Sequence, residues 1–139
     1  MILLDTNVIS EPWKPDPDTD VLTWLDAQAV ETLFISAISI AELRYGIASM
    51  PLGKRKTILH DRLEGEVLPI FDGRILPFNV RTSQFYAELM AGGRTSGKAI
   101  GRADGYIAAT AAENHLAVAT RDTSPFEAAG LRVINPWVA

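Results

Sequence analysis

Ile2-Leu3-Leu4-Asp5-Thr6-Asn7 is the stretch that decides the fold of this 139-residue chain. An apolar run that ends in polar residues is typical of a buried strand that passes directly into a helix. A second apolar run, Leu33-Phe34-Ile35, is followed by four apolar residues at helical spacing, namely Ile40, Leu43, Ile47 and Met50. Strands that alternate with helices predict a parallel sheet with helices on both faces, which is an α/β architecture.

Three later apolar segments extend this sheet to about five strands: Ile75-Leu76-Pro77-Phe78, Leu116-Ala117-Val118-Ala119-Thr120 and Leu131-Arg132-Val133-Ile134. Proline inside the first of them predicts that it lies at an edge of the sheet or ends early. Helices are predicted after a cap at Asp18 or Thr19, over residues 54–68, over residues 82–90 up to Gly92-Gly93, and over residues 103–113. Since no repeat or linker interrupts the pattern, residues 1–139 are predicted to form a single domain.

The composition excludes several classes of protein. Hydrophobic residues make up 47% of the chain and charged residues 22%, so a disordered chain is not expected. The absence of cysteine excludes a disulfide framework and thiolate metal sites. No apolar stretch approaches the ~20 residues of a membrane span, so a cytoplasmic location without membrane attachment is expected. The net charge of −4 argues against a broad nucleic-acid footprint, but not against an enzyme whose bound cations hold phosphate locally.

Basic residues gather at Lys54-Arg55-Lys56 and around Arg94, Lys98 and Arg102, and the simplest interpretation of each cluster is a solvated helix face or loop. The second cluster lies in Gly92-Gly93-Arg94-Thr95-Ser96-Gly97-Lys98-Ala99, which nearly fits the phosphate-binding pattern G-x-x-x-x-G-K-[ST]. Ala99 stands where that pattern requires a hydroxyl, and the preceding element is predicted to be a helix rather than a strand. We therefore expect a mobile basic loop beside the functional site, and no nucleotide site.

Four carboxylates fall at predicted strand-to-helix joints or in first helical turns: Asp5, Glu42, Asp104 and Asp122. Three of them also have a purely structural explanation. Asp5 is placed to cap the helix that follows it. Glu42 stands three residues after Ser39, so the two residues fit a capping box. Asp104 is an acid in a first turn, where the helix dipole favours negative charge.

Asp122 has the weakest structural explanation. The segment Ser124-Pro125-Phe126-Glu127 supplies its own helix start, with Ser at N-cap, Pro at N1 and Glu at N3. Asp122 is therefore not needed as a cap. Gly105, beside Asp104, also requires a reason, because glycine inside a helix costs about 1 kcal/mol relative to alanine. Close approach of another element would supply that reason.

In an open parallel sheet the strand-to-helix joints share one edge, where such folds place their ligands. Carboxylates that converge there raise one another's pKa unless cations neutralise them. Oxygen ligands of this kind suit Mg²⁺ or Mn²⁺, and metal ions about 4 Å apart can drive phosphodiester hydrolysis. One carboxylate could also take the proton of the attacking water. Thr6 and Thr120 are predicted to support the acids by orienting a carboxylate or binding phosphate, with strand-end capping as the alternative.

Four motifs follow one another along the chain: Met1-Ile2-Leu3-Leu4-Asp5-Thr6-Asn7-Val8-Ile9-Ser10, Ser36-Ala37-Ile38-Ser39-Ile40-Ala41-Glu42-Leu43, Ala103-Asp104-Gly105-Tyr106-Ile107-Ala108-Ala109-Thr110-Ala111 and Val118-Ala119-Thr120-Arg121-Asp122-Thr123. Together with the ending Asn135-Pro136-Trp137, they resemble the PIN-domain ribonuclease toxins of the VapC type, and the FitB-like members in particular. The resemblance implies a PIN fold, an Mg²⁺-dependent endoribonuclease that also accepts Mn²⁺, and the toxin role in a type II toxin–antitoxin system.

The same resemblance implies partners. They are an RNA substrate, which is a tRNA for some members, a second copy of the chain in a homodimer, and a VapB- or FitA-like DNA-binding antitoxin. The antitoxin's tail would lie in a groove near the acids, within a higher assembly. By motif, Asp5, Glu42, Asp104 and Asp122 are the catalytic and metal-binding quartet. Many relatives have Asn in place of Asp122 and a further acid shortly after it, so direct or water-mediated ligation by Asp122 stays open.

Three other functions fit parts of the pattern. A phosphatase with an aspartyl nucleophile would also begin with a strand-end Asp, but it would place a second acid where Asn7 stands. An RNase H-like nuclease would follow its first strand with hairpins, whereas a helix is predicted here. A metal-dependent module that binds RNA or a partner without cleavage needs the same acids, and the sequence does not separate it from a nuclease.

Overall fold

A five-stranded parallel sheet lies at the centre of the molecule, in a computed structural model that describes residues 1–138. Its strands are β1 (Ile2–Leu4), β2 (Leu33–Ser36), β3 (Ile75–Leu76), β4 (Ala117–Ala119) and β5 (Val133–Ile134). They lie in the order β3-β2-β1-β4-β5, and all four neighbouring pairs are parallel. The predicted α/β fold class is therefore confirmed, including β3 at an edge.

The chain leaves β1 on one side towards β2 and β3, and later returns on the other side as β4 and β5. The direction of winding thus reverses between β1 and β4, and such a reversal opens a crevice at the carboxyl ends of the strands. Leu4 pairs with Ala119 in the parallel register. The residues that follow them, Asp5 and Thr120, therefore come side by side at the crevice.

Eight α-helices are formed by the described residues: α1 (Thr6–Ser10), α2 (Thr19–Ala27), α3 (Ala37–Ala48), α4 (Lys54–Arg62), α5 (Leu68–Ile70), α6 (Val80–Thr95), α7 (Arg102–Glu113) and α8 (Ser124–Ala128). Short 3₁₀ turns cover Glu11–Trp13 and Val30–Thr32, and a π-helical turn at Leu63–Val67 joins α4 to α5. Asp18 caps α2, as one of the two predicted caps. None of the helices is long and apolar enough to cross a bilayer, within the residues described.

Two apolar clusters cover the two faces of the sheet, and β1 contributes to both of them. Ile2 and Leu4 belong to one cluster, whereas Leu3 belongs to the other. The same division holds for Ala119 and Val118 of β4. A strand buried on both faces has no need for polar residues at alternate positions, which explains the uninterrupted apolar runs in the sequence.

The predicted end of the sixth helix at Gly92-Gly93 is wrong, because α6 continues to Thr95. The helix ends in a Schellman motif at Gly97, whose φ of +74° is readily adopted by glycine. The Lys98 amide donates to the Gly93 carbonyl at 2.8 Å, and the Gly97 amide donates to the Arg94 carbonyl at 3.3 Å. A Cβ at Gly93 would lie 2.8 Å from the Lys98 carbonyl oxygen, so the missing side chain allows the chain to close over the helix end.

Helices α6 and α7 pack directly against each other at Gly105. A Cβ on this residue would lie 2.7 Å from Met90 Sδ and 3.1 Å from Tyr86 Cε1. The close approach predicted for Gly105 is therefore present. It sets the position of the first turn of α7, which carries Asp104.

Candidate active site

Asp5 lies at the junction of β1 and α1 and is 6% exposed. One carboxylate oxygen, Oδ1, accepts a hydrogen bond from the Thr6 amide at 2.8 Å, so Asp5 caps α1 as its structural explanation requires. The other oxygen, Oδ2, accepts from Thr120 Oγ1 at 2.8 Å. Because a carboxylate has about four acceptor positions, both oxygens keep further lone pairs for a ligand.

Glu42 is not part of a capping box, and that prediction is wrong. Helix α3 begins at Ala37, its cap is Ser36, and Ser36 Oγ accepts from the Ser39 amide at 3.0 Å. Glu42 consequently lies in the second turn of α3 and has no capping role. Its Oε1 accepts instead from Thr6 Oγ1 at 2.8 Å, across 36 residues of sequence. Thr6 thus connects the end of β1 to the carboxylate of Glu42.

Asp104 lies in the first turn of α7, as predicted. The N-cap of this helix is Gly101, which has no side chain to cap it. Asp104 is partly buried. Partial burial raises the pKa of Asp104 above its ordinary value, and the negative charges of Asp122 and Glu42 raise it further. These two charges act on Asp104 because α3 and the segment after β4 both bring their acids towards the first turn of α7.

Asp122 is exposed on the segment between β4 and α8. The predicted cap at Ser124 is wrong, because Ser124 is already the first residue of α8 and Thr123 precedes it without a side-chain cap hydrogen bond. Asp122 does not take over that role. Its backbone amide donates to Thr120 Oγ1 at 3.1 Å, which leaves the carboxylate without a structural task.

Burial raises the pKa of Asp5 to about 6, from an ordinary value of 3.8. The hydrogen bonds from Thr120 and Thr6 oppose this increase, while the charges of Asp104 and Glu42 add to it. Asp5, Glu42 and Asp104 are therefore electrostatically coupled, and Asp122 is coupled to Asp104. A cation placed among these groups would relieve their repulsion.

Within residues 1–138, no three Asp, Glu, His or Cys side chains stand in a preformed group that could hold a metal ion. The chemistry of the donors nevertheless suits Mg²⁺, because every candidate ligand is a carboxylate oxygen. Mg²⁺ keeps several of its waters and is usually held by one or two carboxylates rather than by a closed protein cage. The acids at the crevice fit such an ion, and their roles as ligands stay predictions.

Thr120 and Asn7 together form a hydrogen-bonded support under the acids. The Thr120 hydroxyl donates to Asp5 and accepts from the Asp122 amide and, at 3.5 Å, from Asn7 Nδ2. Asn7 Oδ1 also accepts from the Arg121 amide at 3.4 Å. Since its one donor and two acceptor positions are used, Thr120 orients a carboxylate and has no position left for phosphate. The sequence analysis used Asn7 only to argue against an aspartyl phosphatase and assigned it no role in the site, although its place two residues after a strand-end acid was a usable signal.

A groove of about 520 Å³ lies between α3 and α4, and none of the four acids is among its lining residues. Its wall contains apolar and cationic side chains, among them Ile47, Leu52, Leu63, Arg44 and Lys56. Arg44 is paired with Glu64 through two hydrogen bonds, of 2.7 and 3.0 Å. Leu52 is 92% exposed at the rim.

Comparison with known proteins gives a consistent result. Residues 2–131 match the family model described as the PIN domain. The chain is 66% identical over 137 residues to VapC ribonuclease Y4jK of Sinorhizobium fredii, which covers 99% of this chain and 98% of the relative. It is 54% identical over 137 residues to Toxin FitB of Neisseria gonorrhoeae, with 99% of each chain covered.

Solved structures agree with these relatives. The crystal structure of FitAcB from Neisseria gonorrhoeae matches with a TM-score of 0.97 and 53% identity, and covers 100% of both chains. The structure of FitAB bound to an IR36 DNA fragment matches with a TM-score of 0.96 and 52% identity, and covers 99% of this chain and 96% of the other.

Proposed function

The chain belongs to the PIN-domain family, in its VapC- and FitB-like group, and on that premise we propose that it is the toxin of a type II toxin–antitoxin system. The proposed activity is Mg²⁺-dependent endoribonuclease activity, with Mn²⁺ as a substitute, in which phosphodiester bonds of RNA are hydrolysed. The names of the relatives, VapC ribonuclease and Toxin FitB, support the nuclease and toxin roles.

One observation carries the proposal. Asp5 is a buried carboxylate at the reversal of the sheet, and burial together with the charges of Asp104 and Glu42 raises its pKa to about 6. A folded protein that keeps mutually repelling acids in this position loses stability unless a cation binds there. Oxygen donors at such a crevice are what a hard divalent cation requires.

Within this mechanism, Asp5, Glu42 and Asp104 would hold the metal, and Asp122 would contribute directly or through water. A bound divalent cation supplies an activated water and stabilises the leaving oxygen. Thr120 and the Thr6 amide hold Asp5 in its orientation, and the Thr6 hydroxyl holds Glu42. A carboxylate in the cluster that is not shielded by the cation can accept the proton of the attacking water.

The proposal includes partners. A VapB/FitA-like DNA-binding antitoxin is supported by the similarity to FitAB, whose structure is bound to an IR36 DNA fragment. The resemblance implies a groove near the acids for the antitoxin's tail, and we propose the groove between α3 and α4, because α3 also carries Glu42 and Leu52 is exposed at the rim. A homodimer that assembles further with the antitoxin, a cytoplasmic location and tRNA among the RNA substrates are parts of the same proposal.

The test is cleavage of a mixed small-RNA pool with Mg²⁺ or Mn²⁺ by the wild type and by Asp5→Asn. Asp26→Asn is a matched control, because Asp26 is an exposed acid on α2. We expect cleavage by the wild type and the control, and none by Asp5→Asn or in the presence of EDTA. Cleavage that survives both treatments would exclude the carboxylate–metal mechanism. Metal and RNA binding without cleavage would instead support the non-cleaving binding module.

A further inference from the structure

The basic loop, which we define as residues 94–102 and which includes the last two residues of α6 and the first residue of α7, carries three cations on an acidic protein. Arg94, Lys98 and Arg102 are exposed, and the sequence contains no Asp or Glu between Glu88 and Asp104. None of the three cations forms an ion pair with any residue in the described part of the chain. Their charge is therefore uncompensated and directed to solvent.

Backbone hydrogen bonds and one apolar contact anchor the basic loop, and the mobility expected from the sequence stays a prediction. The Schellman motif fixes the backbone at Gly97, and the 2.8 Å bond from the Lys98 amide to Gly93 closes the turn. Ile100 is 8% exposed and packs beneath Gly93, because a Cβ on that glycine would lie 3.5 Å from Ile100 Cδ1. An apolar anchor between Lys98 and Arg102 fixes the loop backbone from which both cations project into solvent.

A groove of about 500 Å³ separates the basic loop from α8. Residues 97–99 form one wall, and Ser124, Pro125 and Glu127 contribute to the other. Arg102 precedes Asp104 by two residues, and α8 begins two residues after Asp122. Lys98 lines the groove, and Arg102 begins α7 in the same turn as Asp104, so the two walls of the groove belong to segments that are continuous with those of Asp104 and Asp122.

We propose that this groove holds the RNA backbone on one side of the cleavage point, with Lys98 and Arg102 contacting the phosphates next to the one that is hydrolysed. This inference rests on the proposed function. A polyanion that approaches a carboxylate cluster is repelled, so cations beside the cluster are needed to guide it. RNA is favoured over an acidic protein segment because Lys98 and Arg102 lie on the segment that leads to Asp104, where the phosphodiester bond is proposed to be hydrolysed.

The experiment measures binding of a fluorescently labelled, single-stranded RNA to the full chain by anisotropy, in the Asp5→Asn background with EDTA so that nothing is cut. We expect Lys98→Ala/Arg102→Ala to weaken binding about tenfold at 0.1 M salt. The slope of log K against log salt should also become shallower by about 1.4, since each phosphate contact contributes about 0.7 for single strands.

Two further variants make the test specific. Lys54→Ala/Arg55→Ala removes the same charge from the other basic cluster. This variant should leave the RNA affinity and its salt dependence almost unchanged. Glu127→Gln removes the acid from the groove wall and should tighten RNA binding about threefold, because a negative charge close to the bound phosphates is lost. Damage to the fold would not produce a gain in affinity, and thermal melts verify that all variants are folded.

The proposal is overturned if both double variants lose affinity equally, or if Lys98→Ala/Arg102→Ala binds RNA like its parent. It is also overturned if that variant loses only antitoxin binding, since the groove would then belong to the protein partner. In the active background we expect KM to rise while kcat changes little. If the wild type cleaves no RNA with any metal, yet the loop variant still binds RNA less tightly, the nuclease proposal fails and the RNA groove stands.

Discussion

Thr120 Oγ1 donates a hydrogen bond of 2.8 Å to Asp5 Oδ2, and so joins two strand ends that are 115 residues apart in sequence. The bond spans the point at which the sheet reverses its winding. Thr120 is fully buried, and its hydroxyl also accepts from the backbone that carries Asp122. One side chain therefore sets the orientation of Asp5 and the position of Asp122 together.

Replacement of Thr120 tests this relationship. Thr120→Val leaves the buried Asp5 carboxylate without its hydroxyl partner, and we expect it to lower the free energy of unfolding by about 1–3 kcal/mol. It should also weaken Mg²⁺ affinity by about 10–100-fold, as loss of a group that orients a ligand does. Thr120→Ser keeps the hydroxyl and should restore the affinity. Equal Mg²⁺ titrations for Thr120→Val and wild type would contradict the orienting role.

The raised pKa of Asp5 predicts the pH dependence of stability. The folded state holds the proton of Asp5 up to about pH 6, whereas the unfolded chain releases it near pH 3.8. The resulting stabilisation is complete below the lower value and is lost as pH rises through the higher one, by about 3 kcal/mol in the metal-free protein. Asp5→Asn has no proton to lose, so its free energy of unfolding, measured in urea, should fall less steeply between pH 4 and about pH 6.5 than that of the wild type. If the free energies of unfolding of the two proteins changed with pH in parallel, the raised pKa of Asp5 would be contradicted.

The hydrogen bond from Thr6 to Glu42 yields a separate prediction. Thr6→Val removes the hydroxyl but keeps the backbone amide that Asp5 uses as a cap partner. We expect about 10–100-fold lower cleavage activity, because Glu42 loses the group that orients it. Thr6→Ser should retain activity near the wild-type level. Thr57→Val on α4 is a control, because Thr57 Oγ1 bonds only to a carbonyl of its own helix start. If Thr6→Val were as active as this control, Glu42 would not depend on Thr6.

The contact between α6 and α7 can be tested at Gly105. Gly105→Val introduces atoms where Met90 Sδ and Tyr86 already lie, and we expect a loss of about 1–3 kcal/mol in the free energy of unfolding. Met90→Ala removes one of the atoms that a Cβ on Gly105 would meet. In that background Gly105→Ala should raise the free energy of unfolding, because alanine favours a helix over glycine by about 1 kcal/mol. Denaturant melts of the wild type, Gly105→Ala, Met90→Ala and Gly105→Ala/Met90→Ala form a double-mutant cycle. Strict additivity would mean that the two side chains do not meet.

Much of this architecture follows from local pattern. The apolar runs of β1, β2 and β4 identify buried strands, since residues covered on both faces have no polar alternation. The acids Asp5 and Asp122 are recognisable because they follow such strands, and parallel strands bring their carboxyl ends to one edge. The five strands, the α/β class and the edge position of β3 were predictable from the sequence for this reason.

The predicted start of α3 was wrong because two serines that could cap the helix lie close together in the sequence. Ser36 and Ser39 both precede the apolar stripe of α3, and Ser39 with Glu42 satisfies the local pattern. The sheet decides between them, because Ser36 is the last residue of β2 to pair with β3 and the chain can enter the helix directly after it. The helix end predicted at Gly92-Gly93 was wrong for a similar reason, since Gly93 lies against the Lys98 carbonyl and Ile100 inside the last turns of α6, which is a tertiary contact.

The sequence by itself determined which residues carry the chemistry, because residue type and position after a strand are local properties. Only the tertiary structure decided how these residues are held. The partners of Asp5 and Glu42 are Thr120 and Thr6, and each of these bonds crosses between separate elements of the fold. Such bonds depend on the register of β1 against β4 and on the placement of α3, which are set by burial of apolar surface over the whole sheet rather than by any local pattern.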